Sequence, residues 1–303
     1  MLSSRDVSDQ LALIICSYRP DFERCARLCA SMDAFVGPEA IQFVVVPDRD
    51  RQIFAPLESG NRTIVSVQDV LPARFVHLPL LKKWWLDNAL WPTRGWMMQQ
   101  VTKLCADAVT DCENILFVDS DIEFIRKLQP SRFVRENALR LHRKPMEKND
   151  GIHLRWHHGA ADLLGLAPRY FGSDYIGPLA TWRRSNLIQL KRHIEKQQQR
   201  PWHEAVGRRV TVSEYTLYGV FVEHVLGVEA SGHFQDSTDL CHCLWSEDGT
   251  EKFLTEFDYK DSNFPQAVLL QSNMGLDQRD VSLLMDRVRQ NLQPSTPGGW
   301  GHL

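Results

Sequence analysis

Hydrophobic and polar positions alternate in blocks along the first part of the chain. Apolar runs at residues 11–16, 41–46, 63–67 and 115–118 each end in polar or turn-forming residues. Short runs of this kind predict buried strands. Residues 21–32 and 95–104 have helical character, and the second segment places Met97, Val101 and Leu104 at helical spacing. Alternating strands and helices predict an α/β fold with a Rossmann-like, mixed but mainly parallel central sheet that is flanked by helices.

The pattern changes in the second half of the chain. Residues 131–172 are basic and irregular, which favours a solvated face. Ser213 precedes a helical pattern and is expected to be its N-cap. Residues 294–299 have the proline and glycine content of a loose tail. No repeat or long linker is visible, so we expect one continuous domain.

Composition narrows the class of protein. The chain has 303 residues, of which 43% are hydrophobic and 24% charged, with 35 basic and 38 acidic side chains giving a net charge of −3. This balance argues against a nucleic-acid binder. The first residues lack a secretory signal and no apolar run could span a bilayer, so we expect a cytoplasmic protein. The close pairs Cys25/Cys29 and Cys241/Cys243 lack zinc-ribbon spacing, and Cys16, Cys105 and Cys112 are expected to be reduced core thiols.

The most informative segment is Ile115-Leu116-Phe117-Val118-Asp119-Ser120-Asp121. In extended backbone, residues two apart point to the same face, so Asp119 and Asp121 are expected to aim together. A hard divalent cation, Mg²⁺ or Mn²⁺, would explain two adjacent carboxylates and would keep coordination positions for phosphate oxygens. The alternative is that both acids merely mark the end of a strand, where Asp and Ser favour turns.

Four segments together resemble bacterial glycosyltransferases of the GT-A type, in particular a poorly characterised prokaryotic group. These segments are Ser17-Tyr18-Arg19-Pro20-Asp21, Gly95-Trp96-Met97-Met98-Gln99-Gln100, Phe117-Val118-Asp119-Ser120-Asp121 and Ser213-Glu214-Tyr215-Thr216-Leu217-Tyr218-Gly219. The resemblance spans about residues 11–275. It implies a single GT-A catalytic domain over residues 1–303. Residues 8–125 would bind the nucleotide sugar, residues 126–275 would bind the acceptor, and residues 276–303 would form a C-terminal helix and tail.

The resemblance also implies a metal-dependent enzyme that moves a sugar from a nucleoside-diphosphate sugar to a hydroxyl group of a glycan or similar acceptor. UDP is the expected nucleotide, on family base rates alone. Asp121 is expected to be the direct metal ligand, whereas Asp119 binds the metal or lies nearer the ribose. The donor, acceptor and ion are the expected partners, and peripheral membrane contact stays open.

Further donor-site residues follow from the resemblance, each with a structural alternative. The set is Ser17, Tyr18, Arg19, Asp21, Asp48, Lys103, Asp119 and Ser120. Arg19 would face a phosphate or the base, or be a surface arginine. Asp48 would contact the nucleoside, or simply form a turn after Pro47. Lys103 would approach the donor, or be an exposed helical lysine.

Glu214 is the candidate general base, since an acceptor hydroxyl must lose a proton when an inverting enzyme transfers the sugar. Its alternatives are a first-turn glutamate that the helix dipole stabilises and, in a retaining enzyme, a group that positions the acceptor or stabilises a cationic transition state. Asp174 is a second candidate that could face the acceptor, and Asp236 a weaker one.

A late histidine is the expected additional metal ligand in such an enzyme. His242 is preferred over His233, although either could be a hydrogen-bonded core residue. Trp182 and Trp202 could stack on acceptor sugars or belong to the core.

Two other functions remain open. A haloacid-dehalogenase-type phosphatase also uses two aspartates after an apolar strand, but there the pair follows the first strand. A nucleotide-sugar or glycan-binding module could keep the fold without turnover.

Overall fold

The computed structural model describes residues 10–72, 75–77, 84–87, 91–146, 151–244, 247–256, 265–270 and 278–292. The tail expected at residues 294–299 lies outside them. The strands are β1 (Leu11–Cys16), β2 (Ile41–Val46), β3 (Arg62–Ser66), β4 (Val76–His77), β5 (Trp84–Leu86), β6 (Pro92–Arg94), β7 (Asn114–Val118), β8 (Ile122–Phe124), β9 (Val134–Arg135), β10 (Ala138–His142), β11 (Lys144–Pro145), β12 (Ser173–Asp174), β13 (Leu179–Arg183), β14 (His233–Asp236), β15 (Cys241–Leu244) and β16 (Ala267–Leu270).

Helices occupy both faces of the central sheet. They are α1 (Phe22–Phe35), α2 (Arg51–Phe54), α3 (Val67–Val70), α4 (Gly95–Lys103), α5 (Ala106–Val109), α6 (Gly151–Leu164), α7 (Arg184–Gln198), α8 (Trp202–Gly207), α9 (Glu214–Phe221), α10 (Glu247–Glu256) and α11 (Gln278–Leu292). A π-helical turn, Val222–Leu226, continues α9. None of the described helices has the length and apolar character needed to cross a membrane.

The central sheet has the strand order β13-β7-β1-β2-β3. Strands β7, β1, β2 and β3 run parallel, whereas β13 is antiparallel to β7. Every residue of β7 is buried, because both faces of a parallel sheet are covered. The predicted α/β fold, with a mixed, mainly parallel central sheet flanked by helices, is confirmed.

The two sides of the sheet form separate apolar clusters. Ile14 and Phe117 pack in one cluster with residues of α4, α6, α7 and α9, while Leu13 and Leu116 pack in the other with α1. Since side chains alternate along a strand, a residue that continues the direction of Phe117 lies on the side of α4 and α9.

A second small sheet places β8 beside the C-terminal elements. Its order is β15-β16-β8, with β15 and β16 parallel and β16 and β8 antiparallel. Glu123 of β8 is buried and pairs with Arg27 of α1 at 3.0 Å and with Arg289 of α11 at 3.4 Å. This carboxylate therefore links the C-terminal helix to the first helix.

The expectation of an irregular, solvated segment at residues 131–172 is wrong. The segment contains β9, β10, β11 and all of α6. Two of its histidines, His142 and His157, are 6% and 1% exposed. Burial is the main cause that lowers the pKa of each to about 4. The charge run indicated solvent because neither the pairing of β10 with β14 nor the packing of α6 on α9 is visible in local composition.

Candidate active site

The two aspartates lie in the turn that follows β7 at its carboxyl end. Asp119 is two residues after Phe117 and therefore continues toward α4 and α9. The Ile122 N–H donates to the Asp119 carbonyl oxygen at 3.2 Å, and the Leu270 N–H donates to the Asp121 carbonyl oxygen at 3.0 Å. These two backbone bonds hold the turn between strands β7 and β8. Ser120 is half-buried between the two acids.

Lys103, the last residue of α4, connects the turn to α9. Its Nζ lies 3.2 Å from Asp119 Oδ1 and 3.2 Å from Glu214 Oε1, and it donates to the Tyr215 hydroxyl at 2.7 Å. Lys103 is only 6% exposed, so the alternative of an exposed helical lysine is wrong. One ammonium group thus contacts both the first aspartate and the candidate base.

The charges around Lys103 keep it protonated. Burial alone would lower the pKa of Lys103, but the charges of Asp119, Tyr215 and Glu214 outweigh it and raise the pKa well above its ordinary value. For Asp121, burial first and the Asp119 charge second raise the pKa to about 6. Within the described ranges, no basic side chain lies within ion-pair distance of Asp121. Asp119 thus has an internal cation beside it, whereas Asp121 has none among the described residues.

Glu214 begins α9 and is 5% exposed. The Ser213 hydroxyl accepts from the Thr216 N–H at 3.4 Å, which confirms the predicted N-cap. The Glu214 N–H donates to Gln100 Oε1 at 2.9 Å. Gln100 is also buried, and its Nε2 has no hydrogen-bond partner among the described residues. Sequence reasoning did not single out Gln100 or Tyr215, although both belong to the quoted motifs.

A cleft of about 1590 Å³ opens beside the carboxyl ends of β1 and β2. Tyr18 and Arg19 line it and are exposed, and Ser17 lines it from a buried position. The Arg19 N–H donates to Asp50 Oδ2 at 3.0 Å. The resemblance indicated Asp48, which is exposed and lines the cleft, but the buried carboxylate that holds the β1 loop is Asp50.

Asp21 lies at the far side of the same loop. It pairs with Arg24 at 2.8 Å. Burial raises the pKa of Asp21, although Arg24 opposes the shift. Asp21 and Arg24 both act electrostatically on Asp121. The beginning of α1 therefore contributes one negative and one positive charge to the surroundings of the acid pair.

Asp174 lies in β12, and its Oδ1 accepts from the Ile176 N–H at 3.0 Å. Burial is the main cause that raises the pKa of this half-buried carboxyl. The chain then enters β13, where Leu179 pairs with Val118. Because these strands are antiparallel, the residues before Leu179 pass beside the Asp119 turn. Asp174 therefore lies on a segment that approaches the acid pair, while its own carboxylate stabilises a local turn.

The two late histidines lie away from the acid pair. The His242 ring stacks on Phe253 of α10, with centroids 4.5 Å apart. Cys241 and Cys243 point to the opposite face of β15, so these thiols, and not His242, experience the charges of Asp119 and Asp121. The structure therefore does not bring His242 to the predicted metal site.

His233 and Asp236 belong to the environment of β14. His233 is 4% exposed and contacts the Tyr218 hydroxyl at 3.2 Å. Asp236 lies 3.5 Å from the guanidinium groups of both Arg135 and Arg140. In the described parts of the chain, no three His, Cys, Asp or Glu side chains gather closely enough to hold a metal ion. Among the described residues, the two aspartates are therefore the candidate ligands for a metal ion at this site.

The tryptophans considered for sugar stacking are core residues. Trp182 and Trp202 are 2% and 6% exposed. Trp182 stacks on Tyr218 at a centroid distance of 4.7 Å. All seven cysteines are free thiols.

Comparison with known proteins places these features in context. The model of a family of unknown function (DUF6492) matches residues 8–293. No curated protein matches the chain. A crystal structure of an active-site mutant of LgtC covers 92% of this chain and 95% of that chain at 10% identity, with a TM-score of 0.46. The galactosyltransferase LgtC in complex with donor and acceptor sugar analogues covers 95% and 98% at 12% identity, with a TM-score of 0.44.

Proposed function

Because the chain belongs to DUF6492, a family of unknown function, we propose its activity from the chemistry of the candidate site. The protein is a metal-dependent GT-A glycosyltransferase that moves a sugar from a nucleoside-diphosphate sugar, with UDP expected, to a hydroxyl group of a glycan or similar acceptor. The observation that carries this proposal is the position of Asp119 and Asp121 at the carboxyl end of a central parallel strand, where open α/β sheets bind ligands.

The acid pair is suited to Mn²⁺ or Mg²⁺. Asp121 is a carboxylate without an ion-pair partner in the described part of the chain, and its neighbour Asp119 is also acidic. Carboxylate oxygens are the preferred ligands of both ions, which commonly take one or two of them together with substrate phosphates. Asp121 would be the main protein ligand. When bound, such an ion would stabilise the charge that develops on the departing diphosphate.

The donor would enter the large cleft. Tyr18 and Arg19 are exposed on its wall, where they can contact a base or a phosphate. Asp50 fixes this wall by accepting from the Arg19 N–H. Asp48 is exposed on the neighbouring loop, where a carboxylate could accept from ribose hydroxyls. The division into a nucleotide half before residue 125 and an acceptor half after it is part of this proposal.

Glu214 would act beside the acceptor. Lys103 occupies its Oε1, so an acceptor hydroxyl would meet Oε2. This pairing favours positioning of the acceptor over simple proton removal, a role that Glu214 would have if the sugar keeps its configuration. Asp174, on the segment that passes the acid pair, would line the acceptor side.

A panel of nucleotide sugars tests the proposal. UDP-glucose, UDP-galactose, UDP-N-acetylglucosamine and GDP-mannose are mixed with the protein and Mn²⁺ or EDTA, and both the melting temperature and the released nucleotide are measured. We expect one donor to raise the melting temperature and to release its nucleotide only with Mn²⁺. Asp121→Asn should abolish both effects. Asp69→Asn, at an exposed position on α3, should preserve them.

Three outcomes would contradict the proposal. Unchanged donor turnover in Asp121→Asn would rule out the proposed metal site. Phosphate release from sugar phosphates without any nucleotide would indicate a phosphatase. Nucleotide-sugar binding with neither transfer nor hydrolysis would indicate a binding module.

A further inference from the structure

Two large aromatic side chains, Tyr18 and Trp96, are exposed inside the cleft. Trp96, in the first turn of α4, lines the cleft and is 46% exposed. Most aromatic side chains of the central core are buried, as Trp182 illustrates. An exposed indole costs free energy unless a ligand covers it, since burial of apolar surface is favourable. Trp96 is thus a candidate ligand contact.

The Trp96 ring is held by a second tryptophan. It stacks on Trp156 of α6, with centroids 6.4 Å apart and an angle of 26° between the ring planes. Because Trp156 covers one face, the opposite face is the surface that a ligand could meet. The ring is therefore oriented before a ligand arrives, which reduces the entropy lost on binding.

An amide side chain lies on the same face of the helix. Gln99 is three residues after Trp96, lines the cleft and is exposed. Side chains three residues apart are neighbours on a helix surface. A pyranose ring presents C–H groups on its face and hydroxyl groups at its edge. An indole can cover the face, while an amide offers both donors and an acceptor to the hydroxyls.

The distance from Trp96 to Lys103 indicates which sugar of a ligand the indole would contact. Lys103 is seven residues after Trp96, so the two Cα atoms lie about 10 Å apart along the helix. Lys103 contacts Asp119 and Glu214. Positions seven residues apart lie on the same face of a helix, so a sugar on Trp96 would lie beside the sugar that reacts and not in its place.

We infer that Trp96 and Gln99 form a subsite for the second sugar of an oligosaccharide acceptor, an inference that rests on the proposed function. Trp156 belongs to α6, in the part of the chain proposed to bind the acceptor, and this favours a sugar over a nucleobase on Trp96. The exposed residues Tyr18 and Arg19, in the loop after β1, also line the cleft and are available to the nucleotide.

The test compares sugar and nucleotide binding in matched variants. Calorimetric titrations of the whole protein use lactose, maltose, cellobiose and N,N′-diacetylchitobiose as probes, and UDP with Mn²⁺ as the nucleotide probe. We expect Trp96→Ala to weaken binding of the preferred disaccharide about tenfold and Trp96→Phe to retain most of it. Trp91→Ala is the control, because Trp91 is 49% exposed and does not line the cleft. UDP binding should be unchanged in all three variants.

Three results would overturn the subsite. The first is disaccharide binding that Trp96→Ala leaves unchanged. The second is a loss of UDP binding in Trp96→Ala, which would assign the indole to the base. The third is a wild-type protein that binds no disaccharide. Failure of the proposed function is seen separately, as the absence of Mn²⁺-dependent nucleotide release. Disaccharide binding that Trp96→Ala weakens would support the sugar site even in a protein without that activity.

Discussion

Replacing Lys103 of α4 with methionine should destabilise the protein, because Glu214 of α9 would lose its positively charged partner. Methionine has about the length of lysine but lacks the ammonium group that contacts Glu214 and Asp119. In the described part of the chain, Lys103 is the only cation within ion-pair distance of Glu214. The Lys103→Met variant therefore leaves a buried carboxylate without its counterion.

The expected loss follows from the distance and the burial. At 3.2 Å, the attraction between Lys103 and Glu214 is about 5 kcal/mol with an effective dielectric constant of about 20. Both side chains are 7% exposed, and breaking one partner of such a buried pair costs about 3–5 kcal/mol. The Asp119 side chain is 34% exposed, so solvent reduces that contribution to less than about 1 kcal/mol. We expect a total loss of about 3 kcal/mol.

A double-mutant cycle isolates the pair. When Glu214→Gln is already present, Lys103→Met should cost only about 1 kcal/mol, which gives a coupling energy of about 2 kcal/mol. Free energies of unfolding are measured by urea titration with far-UV circular dichroism. Lys191→Met is the control, because Lys191 pairs with Asp107 on α5 and should be additive with Glu214→Gln. Additivity of Lys103→Met with Glu214→Gln would refute the pairing.

Three further predictions concern a buried histidine, the C-terminal helix and the donor loop. Burial, assisted by nearby positive charge, lowers the pKa of His233 to about 3 from 6.5. Below pH 6.5 the unfolded chain therefore gains a proton that the folded chain does not. Stability should fall by about 1.4 kcal/mol on going from about pH 7.5 to about pH 5.5, and His233→Gln should lack this share of the loss. Glu123→Gln weakens the contact with Arg289, and amide hydrogen exchange in α11 should become about tenfold faster than in the wild type, whereas unchanged exchange would contradict the link. Asp50→Ala removes the acceptor for the Arg19 N–H and should weaken UDP binding, measured by calorimetry, about tenfold; equal binding would exclude this positioning role.

The central sheet could be predicted from the sequence because its strands are buried on both faces. Strands β1, β2 and β7 appear as nearly uninterrupted apolar runs, and the structure places them where those runs occur. The Ser213 cap was also visible, because capping depends on residues close in sequence. Such local signals are strong where a single physical requirement, such as burial or helix capping, determines the residue type.

Long-range contacts could not be predicted in the same way. The sequence context of Lys103 is that of a surface lysine, yet Lys103 is buried and pairs with two carboxylates from distant segments. Asp48 and Asp50 are the same residue type in the same loop, so the sequence does not distinguish their roles. Only the hydrogen bond from the Arg19 N–H identifies Asp50 as the carboxylate that holds the β1 loop. Side chains alternate along a strand, so His242 points to the face of the sheet opposite to its neighbours Cys241 and Cys243. The pairing of β15 with β16 determines which face that is. Each outcome depends on tertiary packing and not on local pattern.

Asp119 and Asp121 are one residue apart but have different electrostatic environments. Lys103 meets Asp119 at 3.2 Å and is itself held by Glu214, so Asp119 shares its charge with an internal cation. Asp121 meets no such cation among the described residues, and burial together with the Asp119 charge raises its pKa to about 6. Since two neighbouring like charges are costly until a cation joins them, the second aspartate would gain more from a bound divalent ion. The proposed division of labour, with Asp121 on the metal and Asp119 nearer the ribose, would therefore have its physical cause in the position of one lysine.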